Sequence, residues 1–214
     1  MTKQSLLLIS LCLVTQSSTT QELGVFFGAG YAKILGPSRY SNPVSASGLG
    51  LAQSIPVNFG IRFTLPDEAI NFSASGIYRA LSGQGTTFYT GQTPSTIVNG
   101  ETATKGSIWS GSLEATWSPS QSATGLYLKS GVLVSAFSTV TTWHEPSGRL
   151  DISEHIIHYG LSAGAGWAVP FIGNTILDLD AQYVADGLFS RENEEQGLSS
   201  LQFVASIVVP IWSK

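Results

Sequence analysis

The stretch "IPVNFGIRFTL", Ile55 to Leu65, places Ile55, Val57, Phe59, Ile61, Phe63 and Leu65 on one parity and Asn58, Gly60, Arg62 and Thr64 on the other. Successive side chains of a strand point to opposite faces, so this alternation predicts a strand with one apolar and one polar face. An ordinary half-exposed strand would turn Arg62 to water and Phe63 to a core. The rest of the chain decides which medium lies on each side.

Of the 214 residues, 11% are charged and 43% hydrophobic, with 23 glycines. A soluble domain carries about 25% charged residues, so the chain lacks the material for an ordinary solvated surface. Aromatics reach 10% and large aliphatics recur throughout, which excludes a disordered composition. A net charge of −4 without a basic run argues against a nucleic-acid partner.

Residues 1–20 read as a cleaved signal peptide. Lys3 supplies the positive start, Leu6 to Val14 ("LLLISLCLV") the short apolar run, and "TQSSTTQ" the small residues around the cut. The apolar run is too short to span a bilayer, which takes about 20 residues in a helix. Cys12 leaves with the signal, so the mature chain from residue 21 has neither a disulfide framework nor thiol chemistry. The expectation is export, with residues 21–214 forming one domain.

Eight stretches alternate as strands: 23–35, 53–65, 69–80, 105–117, 125–137, 154–169, 174–187 and 198–212. Glycine interrupts every helical reading, and β-branched and aromatic residues dominate. Connections after the second, fourth and sixth stretches are short: 66–68, 118–124 and 170–173. Those after the first, third, fifth and seventh are long and rich in Gly, Ser, Thr and Asn: 36–52, 82–104, 138–153 and 188–197. In an antiparallel barrel this alternation puts every long loop at one end. An even strand count, short turns, long loops and strands near ten residues together describe an outer-membrane barrel. The predicted fold is therefore all-β, an eight-stranded antiparallel up-and-down transmembrane β-barrel in the bacterial outer membrane.

An eight-stranded barrel has an interior just wide enough for side chains. It has no room for Phe59, Ile61, Leu113, Val132, Leu161, Leu179, Phe203, Ile207 and the other large residues sharing their parity. These face lipid, and small residues such as Gly28, Gly60, Ser73, Ser112 and Gly164 line the lumen. Aromatics gather towards strand ends, as interfacial girdles require. Phe63, Phe72, Trp117, Tyr127, Trp167, Phe171 and Trp212 fall near the short turns; Tyr31, Tyr78, Trp109, Phe137, Tyr159 and Phe203 fall nearer the long loops.

With "VNFGIRFTL", "LDLDAQYV" and the closing "LQFVASIVVPIW" in series, the chain resembles the small bacterial outer-membrane barrels of the OmpA transmembrane-domain and OmpX kind. The resemblance covers about 21–212. It implies lipid and lipopolysaccharide as surroundings, and the outer-membrane insertion machinery as a reader of the last strand. That strand departs from the pattern, because Ser213 and Lys214 follow Trp212.

The polar parity carries Arg62, Arg79, Glu114, Lys129, Asp178 and Asp180 inward, and His158 with them. Three bases and three acids nearly cancel, as desolvated charges must. Hairpin symmetry sets Glu114 almost opposite Lys129, and Asp178 and Asp180 opposite Gly166 and Gly164. Arg62 then pairs with Glu114 or Asp178. Such a network either plugs the barrel or gates a narrow water path.

Catalysis is not expected. His144, His155 and His158 are the only histidines. His158 and Ser162 share a strand face but stand about 13 Å apart at i and i+4. A cross-strand serine, with Asp180 orienting His158, is the remaining catalytic geometry. No cofactor or metal is implied. Glu192, Glu194 and Glu195, with Asp186, read as a solvated acidic loop, with divalent-cation binding as the alternative. Phe88 and Tyr89 in the long central loop are candidates for contact with an unidentified surface ligand. The expected function is a non-enzymatic structural or surface-interaction role through the long loops; the alternatives are a small pore and a lipid-modifying enzyme.

Overall fold

The structure is a computed structural model that describes residues 22–36, 51–65, 69–90, 97–119, 124–145, 148–188 and 198–213. The signal segment, Glu192, Glu194, Glu195 and Lys214 lie outside these residues, as do the side chains of Phe88, Tyr89 and His144. Eight strands follow in order: β1 (Glu22–Gly36), β2 (Gln53–Thr64), β3 (Ile70–Thr90), β4 (Ile97–Trp117), β5 (Gly125–Glu145), β6 (Gly148–Pro170), β7 (Ile176–Ala185) and β8 (Ser199–Ser213). Each pairs antiparallel with its neighbours in sequence, and β1 pairs with β8, so the sheet closes into a barrel. No helix among the described residues is long and apolar enough to cross a membrane.

The pairing fixes the tilt. From Gly24, direct partners run through Arg62, Ser73, Glu114, Gly131, Ser162 and Val184 to Ser200, whereas Gly24 itself pairs with Pro210. The circuit therefore returns ten residues away on β8, from Ser200 to Pro210. A stagger of that size on eight strands tilts them by about 40° and leaves a lumen filled by side chains.

Outward residues are large and apolar although they are exposed: Leu113 is 63% accessible, Trp167 60% and Phe27 62%. Inward residues in the membrane-spanning part are mostly small or polar, and Ser135, Asp178, Ser200 and Gln202 are all buried. A contiguous apolar surface on this scale is untenable in water. The medium outside is lipid, and inside and outside have exchanged their usual polarity.

Phe63 pairs directly with Phe72 near the short turns, where Trp117 and Trp167 also lie. Tyr78 stacks on Trp109 with ring centroids 4.6 Å apart at the other border. Eight residues of tilted strand between Trp117 and Trp109 span about 20 Å along the barrel axis, close to the apolar band of an outer-membrane barrel. Two aromatics depart from the expected girdles. Tyr127 and Phe137 share the parity of Lys129, and both are buried in the lumen.

The central strands also exceed expectation. Residues 82–90, 97–104 and 138–145, read from sequence as loops, are paired strand. So is 148–153. The β3–β4 ladder continues to Thr90 and Ile97, and the β5–β6 ladder to Glu145 and Gly148. Four strands thus carry the barrel wall past the upper aromatic border as a continuous sheet. Residues 82–90 and 97–104 are rich in Gly, Ser and Thr and carry no sustained apolar alternation, whereas in 148–153 Leu150 and Ile152 alternate with Arg149, Asp151 and Ser153.

Candidate functional site

The lumen holds its ionisable groups in two tiers. Nearer the short turns, Arg62 of β2 forms an ion pair with Asp178 of β7, and Tyr127 of β5 donates its hydroxyl to the same carboxylate. The next inward step brings Lys129 Nζ to 2.9 Å from Asp180 Oδ2 and 3.7 Å from Glu114 Oε2. Gln182 Nε2 donates to Glu114 Oε1 at 2.6 Å. Every group here has a partner on a different strand, so the cluster ties β2, β4, β5 and β7 across the barrel. Glycines make the space: a Cβ on Gly166 would lie 2.2 Å from the Tyr127 hydroxyl, and one on Gly131 2.7 Å from Glu114 Cγ.

The upper tier centres on Arg79, which is 1% exposed. Its Nη2 lies 2.9 Å from Asp186 Oδ2, and Nη1 donates to Ser200 Oγ at 3.1 Å. Ser135 Oγ donates to Asp186 Oδ1 at 2.7 Å and lies 2.7 Å from Ser110 Oγ. Directly above this tier, two residues further along their strands, stand Leu81 over Arg79, Ile108 over Ser110, Phe137 over Ser135 and Leu198 over Ser200. With Ile34 and Leu51 they form a buried apolar cluster inside the barrel. Within the lower tier, the void lined by Arg62, Glu114, Lys129, Asp178, Asp180 and Gln182 measures about 20 Å³, room for a single water.

Of the sequence-derived candidates, Arg62, Glu114, Lys129, Asp178 and Asp180 meet in the lower tier and Arg79 stands in the upper. Arg62 takes Asp178, not Glu114. The hairpin symmetry is two residues off. Glu114 pairs with Gly131 and Lys129 with Thr116, so Lys129 reaches Glu114 only diagonally. Asp180 stands opposite Gly166, and Asp178 opposite Ala168. The turn between β6 and β7 occupies 171–175, closed by Phe171 N–H to Thr175 O at 2.9 Å with Gly173 at φ 63°, which moves its centre. Phe63, Phe72, Trp109, Trp117, Trp167 and Trp212 point outward on the lipid side of their strands. Asp186 was grouped with the loop acids by sequence position, yet it is buried on Arg79. Its even parity, shared with Asp178 and Asp180 on β7, was the signal available. Below the apolar cluster the lumen then holds Glu114, Asp178, Asp180 and Asp186 against Arg62, Arg79 and Lys129.

His158 is buried beside the Phe137 ring, edge to face at 6.4 Å between centroids. Its direct cross-strand partner is Ser135, whose hydroxyl is committed to Asp186 and Ser110. Asp180 lies with Lys129 in the other tier, away from His158. No serine–histidine hydrogen bond is formed, and no cluster of His, Cys, Asp and Glu suited to a metal occurs among the described residues.

No family model matches the chain, and no curated protein matches it in sequence. Among solved structures it is similar to Neisserial surface protein A, at 15% identity over 87% of this chain and 96% of that one, with a TM-score of 0.46. It is also similar to Ail, the attachment invasion locus protein of Yersinia pestis, at 11% identity over 90% of this chain and 100% of that one, with a TM-score of 0.39. A closed eight-stranded meander, an apolar outer wall and an ionised, side-chain-filled lumen make this chain a small outer-membrane-type β-barrel.

Proposed function

We propose that the protein is a non-catalytic outer-membrane surface protein, in which the barrel is a solid anchor and the sheet above it is the interaction surface. The observation that carries this reading is the extension of β3, β4, β5 and β6 beyond the lipid border. Pairing of β3 with β2 ends at Leu81, so among the described residues the segment 82–90 has a ladder partner only in β4. Pairing of β6 with β7 ends at Leu161, so β6 above it is a second edge, bonded further among the described residues only through Gly187 N–H to Tyr159 O.

The two edges differ in chemistry. That of β6 carries Arg149, Asp151 and Glu154, and charges on an edge discourage strand addition. That of β3, "SGQGTTFYT" at 82–90, has no charge. An extended segment of a partner can add there through main-chain hydrogen bonds, with alternate side chains setting specificity. The apolar cluster over the Arg79 tier supports an anchor over a pore, and the committed Ser135 hydroxyl supports a binding protein over a hydrolase.

The test replaces residues 84–103 with a two-residue Asn-Gly turn and displays the protein on bacterial cells. Adherence to epithelial cells and to immobilised matrix protein is expected to fall to background while the barrel keeps its heat-modifiable mobility. Unchanged adherence with a folded barrel rejects the sheet as the interaction surface.

A further inference from the structure

On the lipid-facing wall, Gly76 of β3 and Gly111 of β4 are direct partners, but they are not equivalent. A Cβ on Gly76 would lie 2.6 Å from the Phe59 ring, so the ring packs over that glycine and would have to shift for any side chain there. A Cβ on Gly111 would meet only Val134 Cγ1, at 3.9 Å. Glycine weakens a strand interior, and it commonly marks a site where something approaches the backbone closely. Among the described residues none comes closer than 3.9 Å to a Cβ on Gly111. It forms the floor of an apolar depression of about 570 Å³ walled by Leu113, Val134 and Tyr159.

The same face of β4 runs upward from Leu113 and Gly111 to Trp109, Ser107 and Lys105. Ser107 pairs with Ser138, and Ser138 with His155, so three polar side chains form a row across β4, β5 and β6 just above the Trp109 border. Lys105, exposed, stands one outward position higher. Between Leu113 and His155 the outward positions of these three strands hold no acidic residue. A cation and hydroxyl donors therefore sit above an interfacial tryptophan, and an apolar slot with an unexplained glycine sits below it.

We propose that this wall is a specific site for one phosphorylated, multiply acylated outer-leaflet lipid of the lipopolysaccharide type. One acyl chain lies across Gly111 between Leu113, Val134 and Tyr159. The phosphorylated sugar headgroup rests on Lys105, Ser107, Ser138 and His155. Gly111 to Lys105 is about 20 Å of tilted strand, which carries the site from within the apolar band to the headgroup layer. The occupant follows from the medium and the charge: lipid covers this wall, and only an anionic headgroup complements Lys105. The assignment rests on the outer-membrane reading, with the β3–β6 extension on the outer-leaflet side.

The test uses the full barrel in nanodiscs containing either hexa-acylated bisphosphorylated lipid A or its dephosphorylated form, with bound lipid counted by native mass spectrometry. The wild type is expected to retain one bisphosphorylated lipid A at least tenfold better than the dephosphorylated form. Gly111→Leu, which fills the slot, and Lys105→Gln, which leaves the wall intact, should each lose that retention, while Ala181→Leu in the opposite wall should not. Equal retention by all variants, or no preference for phosphate, overturns the site and leaves a non-selective lipid shell. Heat-modifiable mobility, read on every variant, reports the barrel separately. A chain that fails to enter nanodiscs sinks the membrane reading itself.

Discussion

Arg79 of β3 and Asp186, just beyond the end of β7, form a 2.9 Å ion pair in which both side chains are 2% exposed. The pair crosses the lumen, because β3 and β7 stand four strands apart whichever way the closed sheet is followed. Ser200 and Ser135 occupy further hydrogen-bonding positions on the two groups, so the pair is a node joining β3, β5, β8 and the chain after β7. Removing one partner of a buried pair strands the other charge, at a cost of about 3–5 kcal/mol. Asp186→Ala should lower barrel stability by that order in urea unfolding from lipid vesicles. A double replacement, Arg79→Met with Asp186→Leu, should recover much of the loss. A double variant as unstable as the single one would show that the pair acts through more than its charge.

The lower tier differs in exposure, since the Arg62 side chain is 19% accessible against 2% for Arg79, and Asp178 has a second partner as Asp186 does. Without Arg62 the carboxylate still accepts the Tyr127 hydroxyl. Arg62→Met should therefore cost about 1.5–3 kcal/mol, the range for a hydrogen bond to a charged group. Tyr127→Phe in the same background should add to that loss by more than it costs in the wild type, because it removes the last partner. Strict additivity in this double-mutant cycle would contradict the shared carboxylate.

How much of this was legible in the sequence differs by level. Strand number and the polarity of each face follow from alternation in "IPVNFGIRFTL" and its seven counterparts, because lipid on one side and a narrow lumen on the other admit one assignment. Register did not follow. Glu114 looked to be opposite Lys129 and faces Gly131, since hairpin register depends on turn conformation, here with Gly125 at φ 115° and Gly173 at φ 63°. The extension of β3 and β4 was unreadable for a different reason, since 82–90 and 97–104 carry no sustained apolar alternation; in β6 the signal was there, because Leu150 and Ile152 alternate with Arg149, Asp151 and Ser153. Tyr127 and Phe137 show the reverse case. Their position along the chain suggested a girdle, while their parity with Lys129 already pointed inward.

The polarity of the wall gives a prediction that separates a membrane barrel from a soluble one. Leu113 is 63% exposed on β4, near the middle of the apolar band, and Ile70 is 44% exposed at the short-turn rim. In lipid, Leu113→Arg should cost about 2–4 kcal/mol and Ile70→Arg about 0–1 kcal/mol. In a soluble barrel both exposed positions would accept arginine without loss. Folding titrations in vesicles of matched thickness read the difference directly, and equal tolerance at the two depths would refute the lipid band.

Conduction is governed by the upper tier and the apolar cluster above it. Ile108 and Phe137 are 1% and 4% exposed and stand on the same inward faces as Ser110 and Ser135, so an ion would meet an apolar constriction and then the Arg79–Asp186 pair. Neither barrier alone defines the closed state. Ile108→Gly with Phe137→Gly removes the apolar block but leaves the ion pair across the lumen. Adding Arg79→Ser and Asp186→Ser removes the second barrier. Planar-bilayer recording should show no unitary conductance for the wild type or the double-glycine variant, and small steps for the fourfold variant only when Arg62, Lys129, Asp178 and Asp180 of the lower tier are also replaced by Ser, each fold being verified by heat-modifiable mobility. Steps of equal size in the wild type would mean that the two tiers rearrange as a gate, and the solid-anchor reading would have to be given up.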